Sequence, residues 1–131
     1  MNKVSILSIG LLPTLIDYAD PAYAMFPGMT AEKVQAGLDR DKALIKSLGY
    51  DFEMCLVDFG ETAEQVLKER LQQKELDGVL MGAGVRLIAK NTALFEKLIN
   101  LVHAHAPHAK LCFNTGPTDS AAAIQRWFPK P

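Results

Sequence analysis

The sequence predicts an α/β protein, a single domain over residues 1–131 built on a doubly wound, parallel four-stranded sheet with helices on both faces. Three observations predict it. Strand-like and helix-like segments alternate four times, the pattern that lays strands parallel with helical crossovers between them. The strand-like runs are apolar throughout rather than alternating, as when helices cover both faces of a sheet. A chain of 131 residues, 49% apolar and 22% charged, has the size and composition of an ordinary globular domain.

The first strand is read over 4–9, in KVSILSIG, with β-branched and apolar residues bounded by Gly10. The same region imitates a secretory leader, with a lysine, an apolar stretch and an Ala-Tyr-Ala before Met25. Gly10 and Pro13 interrupt that stretch, and Asp17 and Asp20 precede the supposed cut, so the strand is the better reading. The first helix starts after Thr30 as N-cap, with Glu32 in its first turn. Val34, Leu38, Ile45 and Leu48 fall on one stripe, and Gly49 supplies a left-handed stop.

A second strand covers 52–59. Thr62-Ala-Glu-Gln65 forms a capping box for a helix carrying Val66, Leu67 and Leu71. The third strand is Gly78–Met81. The helix after it starts with Asn91 as cap and buries Leu94, Phe95, Leu98, Ile99 and Val102, with residues 85–90 left as an irregular connection. The fourth strand covers 110–114, and Pro117 and Thr118 open a last helix carrying Ala121, Ile124, Trp127 and Phe128.

Right-handed crossovers with helices on both faces favour the strand order 2-1-3-4, a flavodoxin-like arrangement; a Rossmann-like 3-2-1-4 is the alternative. In the favoured order the winding reverses between strands one and three, and ligands sit outside the carboxyl ends of the strands at such a point. Gly10, Leu11 and Leu12 line one side of that crevice. Gly82, Ala83, Gly84, Val85 and Arg86 line the other, with Asn114, Thr115 and Gly116 from strand four next door.

Gly82-Ala-Gly84 permits a tight turn whose backbone amides can hold an anion. The dinucleotide fingerprint is incomplete, because its third glycine position is Leu87, and the phosphate-loop Gly-Lys-Ser/Thr is absent. No organic cofactor is therefore expected. A guanidinium beside free amides, as at Arg86, suits phosphate or carboxylate; a solvated or structurally paired arginine is the bland alternative. Asn114 is a polar side chain already at the crevice. The connection over 11–29 is long for its class and holds Asp17, Tyr18, Asp20, Tyr23, Met25 and Phe26, the composition of a lid or a contact surface. Asp17 and Tyr23, with Asp58 from the end of strand two, are secondary candidates for ligand contact.

Other activities drop out. His103, His105 and His108 do not converge and have no neighbouring carboxylate, so no metal site is expected. A net charge of −1 leaves no basic footprint for nucleic acid or an anionic membrane, and no apolar run reaches the ~20 residues of a span. The positions of a phospho-receiver's acids read Ile9-Gly10 and Met81-Gly82. A flavodoxin's phosphate loop is replaced by Leu11-Leu12-Pro13, and no Gly-x-Ser-x-Gly elbow exists. Cys55 and Cys112 lie inside apolar runs, as buried cysteines of a reducing compartment do; a cytoplasmic location follows.

GAGVR together with CFNTGPTD, separated by a helix rich in Leu and His, resembles a set of small single-domain α/β proteins over nearly the whole chain. The resemblance implies a flavodoxin-like or Rossmann-like fold and brings no activity with it. The functional expectation is a small anionic or polar metabolite bound at the crevice, and an enzyme here would be a cofactor-independent lyase, isomerase or hydrolase. The competing expectation is a non-catalytic interaction or regulatory subunit, a homodimer among them, using residues 11–29 and the aromatic pair Trp127-Phe128.

Overall fold

In the computed structural model, which describes residues 3–116 and 118–130, the four strands form one parallel sheet in the order β2-β1-β3-β4. The elements run β1 (Ser5–Leu11), α1 (Ala31–Ser47), β2 (Asp51–Val57), α2 (Ala63–Gln73), β3 (Gly78–Met81), a single turn α3 (Ala83–Arg86), α4 (Thr92–His105), β4 (Lys110–Phe113) and α5 (Ser120–Gln125). The winding reverses between β1 and β3, the order the sequence favoured over the Rossmann-like 3-2-1-4. β1 is interior, pairing with β2 along its whole length and with β3 from Ile6 to Ile9.

Pleating divides the core in two. Leu7, Ile9 and Leu11 face one side with Val57, Val79 and Met81, where Leu67 and Leu71 of α2 and Leu94, Leu98 and Val102 of α4 cover them. Ile6, Phe52, Leu80 and Cys112 face the other, under Ile45 of α1 and Ala123 and Ile124 of α5. The two free cysteines lie on opposite faces and on the two outer strands. Three strand spacings, roughly 14 Å, separate those strands, so the two thiols are not a disulfide pair. Burial pushes both thiols up, Cys112 to about 11, which keeps them unreactive.

Strand and helix ends differ from the sequence expectation for identifiable reasons. β1 runs on to Leu11 because Gly10 and Leu11 still pair with Leu56 and Val57. β2 stops at Val57, short of residue 59, because Asp58 turns the chain. Its carboxylate accepts from the amides of Gly60, Thr62 and Ala63 and from the Thr62 hydroxyl. Those bonds, the hydroxyl's first, hold Asp58 below its ordinary carboxylate range. The capping box expected at Thr62 is thereby displaced: Thr62 makes no capping bond of its own, and Gln65 pairs with Glu69 instead. Thr30 does cap α1, accepting from the Lys33 amide, and Gly49 takes its left-handed φ of 97°. β4 ends at Phe113, one residue early, and α5 begins after Asp119; Pro117 falls outside the described residues. Among those residues no helix is long and apolar enough to cross a membrane.

Gly78 on β3 is there for space. A Cβ at this position would come within 2.8 Å of both Ile6 Cδ1 and Phe128 Cε2, and Phe128 anchors the C-terminal turn with its carbonyl accepting the Tyr50 hydroxyl. Gly78→Ala is expected to cost about 1–3 kcal/mol through overpacking, read as a lower urea midpoint with an unchanged slope. An unchanged midpoint would show that the Phe128 ring swings clear.

Candidate functional site

At the carboxyl edge of the sheet the connection after β1 does not run directly into α1. Two single 3₁₀ turns, Pro13–Leu15 and Pro21–Tyr23, fold it back on itself. Prolines open both turns, where a missing N–H costs nothing, and Asp20 caps the second by accepting from the Ala22 amide at 2.9 Å. The Tyr18 hydroxyl donates to the Pro13 carbonyl at 2.8 Å. The segment is therefore a structured wall.

That wall borders a half-open cleft of about 430 Å³. Leu15, Asp17, Asp20 and Tyr23 line it from the first connection, and Phe59 and Gly60 from the turn after β2. Ile88, Lys90 and Asn91 line it from the segment between α3 and α4, and Ala93, Leu94 and Lys97 from α4. Its position beside the reversal of winding is where an open α/β sheet exposes the ends of its loops. Lys90 and Asp20 form an ion pair across the cavity mouth, joining segments 70 residues apart in the chain. The Lys90 bond, with the Ala22 amide next, holds Asp20 below its usual range. Asn91 is 5% exposed; its Nδ2 donates to the Gly84 carbonyl at 3.1 Å. The helix-capping role expected of its side chain is not made.

The residues singled out by the sequence separate into two groups. Asp17 and Tyr23 line the cavity, and Asp58 holds the turn whose next residues, Phe59 and Gly60, line it. The others build the neighbouring wall. Gly10 and Leu11 remain within the β1 ladder, and Leu11 is part of the core. Gly82 has an ordinary φ of −64°, and a Cβ there would press on the Ile9 carbonyl at 3.1 Å, so this glycine serves close packing. Gly84 likewise has no positive φ, and Ala83 and Val85 are buried. Of the connection expected to be irregular over 85–90, Val85 and Arg86 close the helical turn α3 and Ala89–Asn91 form a 3₁₀ turn. The chain does turn tightly at Gly82, whose carbonyl accepts from the Val85 and Arg86 amides, but without a positive φ.

Asn114 and Arg86 are engaged with the protein itself. Asn114 is 7% exposed; its Oδ1 accepts from the Ala83 amide at 2.8 Å and its Nδ2 donates to Ser120 Oγ at 2.9 Å. Thr115 is held by Asp119 through both amide and hydroxyl. Arg86 Nη2 donates to the Asn114 carbonyl, and the guanidinium stacks over Phe113 at 5.1 Å. His103 and His108 are exposed, and no group of metal-ligating side chains occurs among the described residues. Lys90, Asn91 and Lys97 escaped the sequence reading because nothing local marks them; only the fold brings them opposite Asp17 and Asp20.

No family model, curated protein or solved structure matches this chain.

Arg86→Ala is expected to lower stability by about 1–2 kcal/mol. A charge-assisted hydrogen bond contributes ~1.5–3 kcal/mol and the aromatic contact ~0.5–1, and removal of the guanidinium's buried, unpartnered Nε offsets part of that. Differential scanning calorimetry would show this as a fall in Tm of several degrees. A Tm that does not move would return Arg86 to the ligand-binding role.

Proposed function

We propose that this protein binds a small anionic or polar metabolite in the cavity at the carboxyl edge of its sheet. The observation that carries the reading is the cavity itself. About 430 Å³ lies within the range of small-molecule sites, and an apolar floor with a few convergent polar groups is their usual make-up. Buried Ile88 and Leu94 and the more exposed Leu15 and Phe59 supply the apolar lining; Asp17, Tyr23, Asn91 and Lys97 supply the polar groups.

The test is a thermal-shift screen of phosphorylated and carboxylated metabolites. A ligand present at ~100 times its dissociation constant stabilises by about 2.7 kcal/mol, a rise of several degrees for a chain of this size. Ala93 lines the cavity from the exposed side of α4, so Ala93→Trp should fill the space without disturbing the core. It is expected to abolish the shift and leave the ligand-free Tm within about a degree. A ligand that still shifts the Trp variant binds elsewhere and sinks the reading.

A second reading, an interaction surface, draws on Met25, 58% exposed in the first connection, and Trp127, 52% exposed beside β4. Sedimentation at rising concentration distinguishes it: self-association relieved by Met25→Asp would favour the surface.

A further inference from the structure

We infer that the ligand is a zwitterion with an apolar side chain, an α-amino acid of the leucine or methionine type; this rests on the binding reading above and narrows it. The charged groups around the cavity are two aspartates and two lysines, so the lining sums to zero and offers no excess of cation for a phosphate dianion. They are not equally available. Asp20 and Lys90 are spent on one another, and the second oxygen of Asp20 is taken by the Ala22 amide.

The unspent pair is Asp17 and Lys97, one of each sign. Asp17 accepts from the Ala19 amide through Oδ1 at 3.1 Å, and its other oxygen has no partner among the described residues. Lys97 Nζ stands 3.8 Å from Glu64 with both side chains more than half exposed. Such a pair contributes little and yields readily to a better-placed anion. The neutral groups divide the same way. Asn91 Nδ2 is used on Gly84, which leaves Oδ1 as an acceptor, and the Tyr23 hydroxyl donates to no described residue.

The complement of this set has an ammonium for the acceptors Asp17 and Asn91, a carboxylate for the donors Lys97 and Tyr23, and an apolar body for the lining of Leu15, Phe59, Ile88 and Leu94. Asp17 and Lys97 are exposed in the free protein, so a ligand lacking either charge forfeits one charge-assisted hydrogen bond of the two that a zwitterion makes. The volume also favours a single small metabolite over a dinucleotide.

Titration calorimetry on the full chain would use L-leucine and L-methionine, with 4-methylpentanoate lacking the amine and 3-methylbutylamine lacking the carboxylate. Inorganic phosphate and glucose 6-phosphate serve as anion probes. The amino acids are expected to bind, and each truncated analogue to bind at least about tenfold more weakly. Asp17→Asn should weaken leucine about tenfold and leave 4-methylpentanoate unchanged. Lys97→Gln should weaken leucine by a similar factor and leave 3-methylbutylamine unchanged. If 4-methylpentanoate or a phosphate probe binds as tightly as leucine, the zwitterion assignment is wrong. The cavity then survives as a site only if Ala93→Trp abolishes that binding. No heat from leucine or methionine overturns the zwitterion assignment, whereas the cavity reading stands or falls on whether Ala93→Trp abolishes the shift given by any ligand from the wider screen.

Discussion

Deleting residues 1–24 is expected to abolish cooperative folding altogether. β1 pairs with β2 on one side and β3 on the other, so its loss leaves the sheet in two unconnected pieces. Ile6, Leu7, Ile9 and Leu11 are each buried, and between them they serve both halves of the core. Complete burial of one such side chain contributes roughly 1.5–3 kcal/mol, so the four together are worth about 6–12 kcal/mol as an upper estimate. That matches the whole stability of a typical domain, ~5–15 kcal/mol. The deletion also decides the meaning of the leader-like Ala-Tyr-Ala at residues 22–24. Circular dichroism during heating would show no sigmoidal transition for the shortened chain. A truncated protein that melts cooperatively as a soluble monomer would show that β1 is dispensable.

The architecture was legible because it rests on features with a fixed period. Four apolar runs, helical stripes such as Val34-Leu38-Ile45, and a glycine at residue 49 are local facts, and crossover handedness narrows them to two strand orders, of which the favoured one is found. The order also led to the expectation of a crevice at the β1–β3 reversal, but the cleft is lined by Asp17 and Tyr23 and by none of Gly10, Leu11, residues 82–86, Asn114 or Thr115. That lining was not legible. Thr62 carries the capping-box pattern, yet Asp58 takes the Thr62 amide and hydroxyl, because the direction in which β2 ends presents that carboxylate to the helix first. Gly82 and Gly84 resemble a phosphate loop, yet Gly82 answers to the Ile9 carbonyl across the sheet, a neighbour 73 residues away. The Asp20–Lys90 pair is equally remote in sequence. Sequence patterns record what a residue does for its own turn, and these residues act on other elements.

Asn114 shows the same point in energetic terms and supports the second large prediction. Its side-chain amide joins the start of α3 to the start of α5, taking the Ala83 amide on one side and giving a hydrogen to Ser120 on the other. Both partners are buried. Asn114→Ala removes the amide and strands the Ala83 N–H, and a buried group left unsatisfied costs ~1–3 kcal/mol. With the Ser120 bond also lost, the expected total is about 2–4 kcal/mol, measured from urea unfolding. Asn114→Asp separates shape from charge. An aspartate keeps the acceptor for Ala83, but it places a charge at a site 7% exposed. Asp41 on α1 lies near Ser120, and burial there, partly offset by the Ser120 hydroxyl, pushes its carboxyl up. Burial and this neighbouring acid should raise the introduced carboxyl above its unfolded value of about 3.9. A raised folded pKa makes the protonated form the better guest, since it can accept from Ala83 and donate to Ser120 as the amide does. The gap in stability between the native protein and Asn114→Asp is therefore expected to widen as pH rises from about 4 to 7 and to narrow again on acidification. A gap that stays constant across that range would mean that the carboxylate reaches water, and that the carboxyl edge beside β4 is more open than the native hydrogen bonds imply.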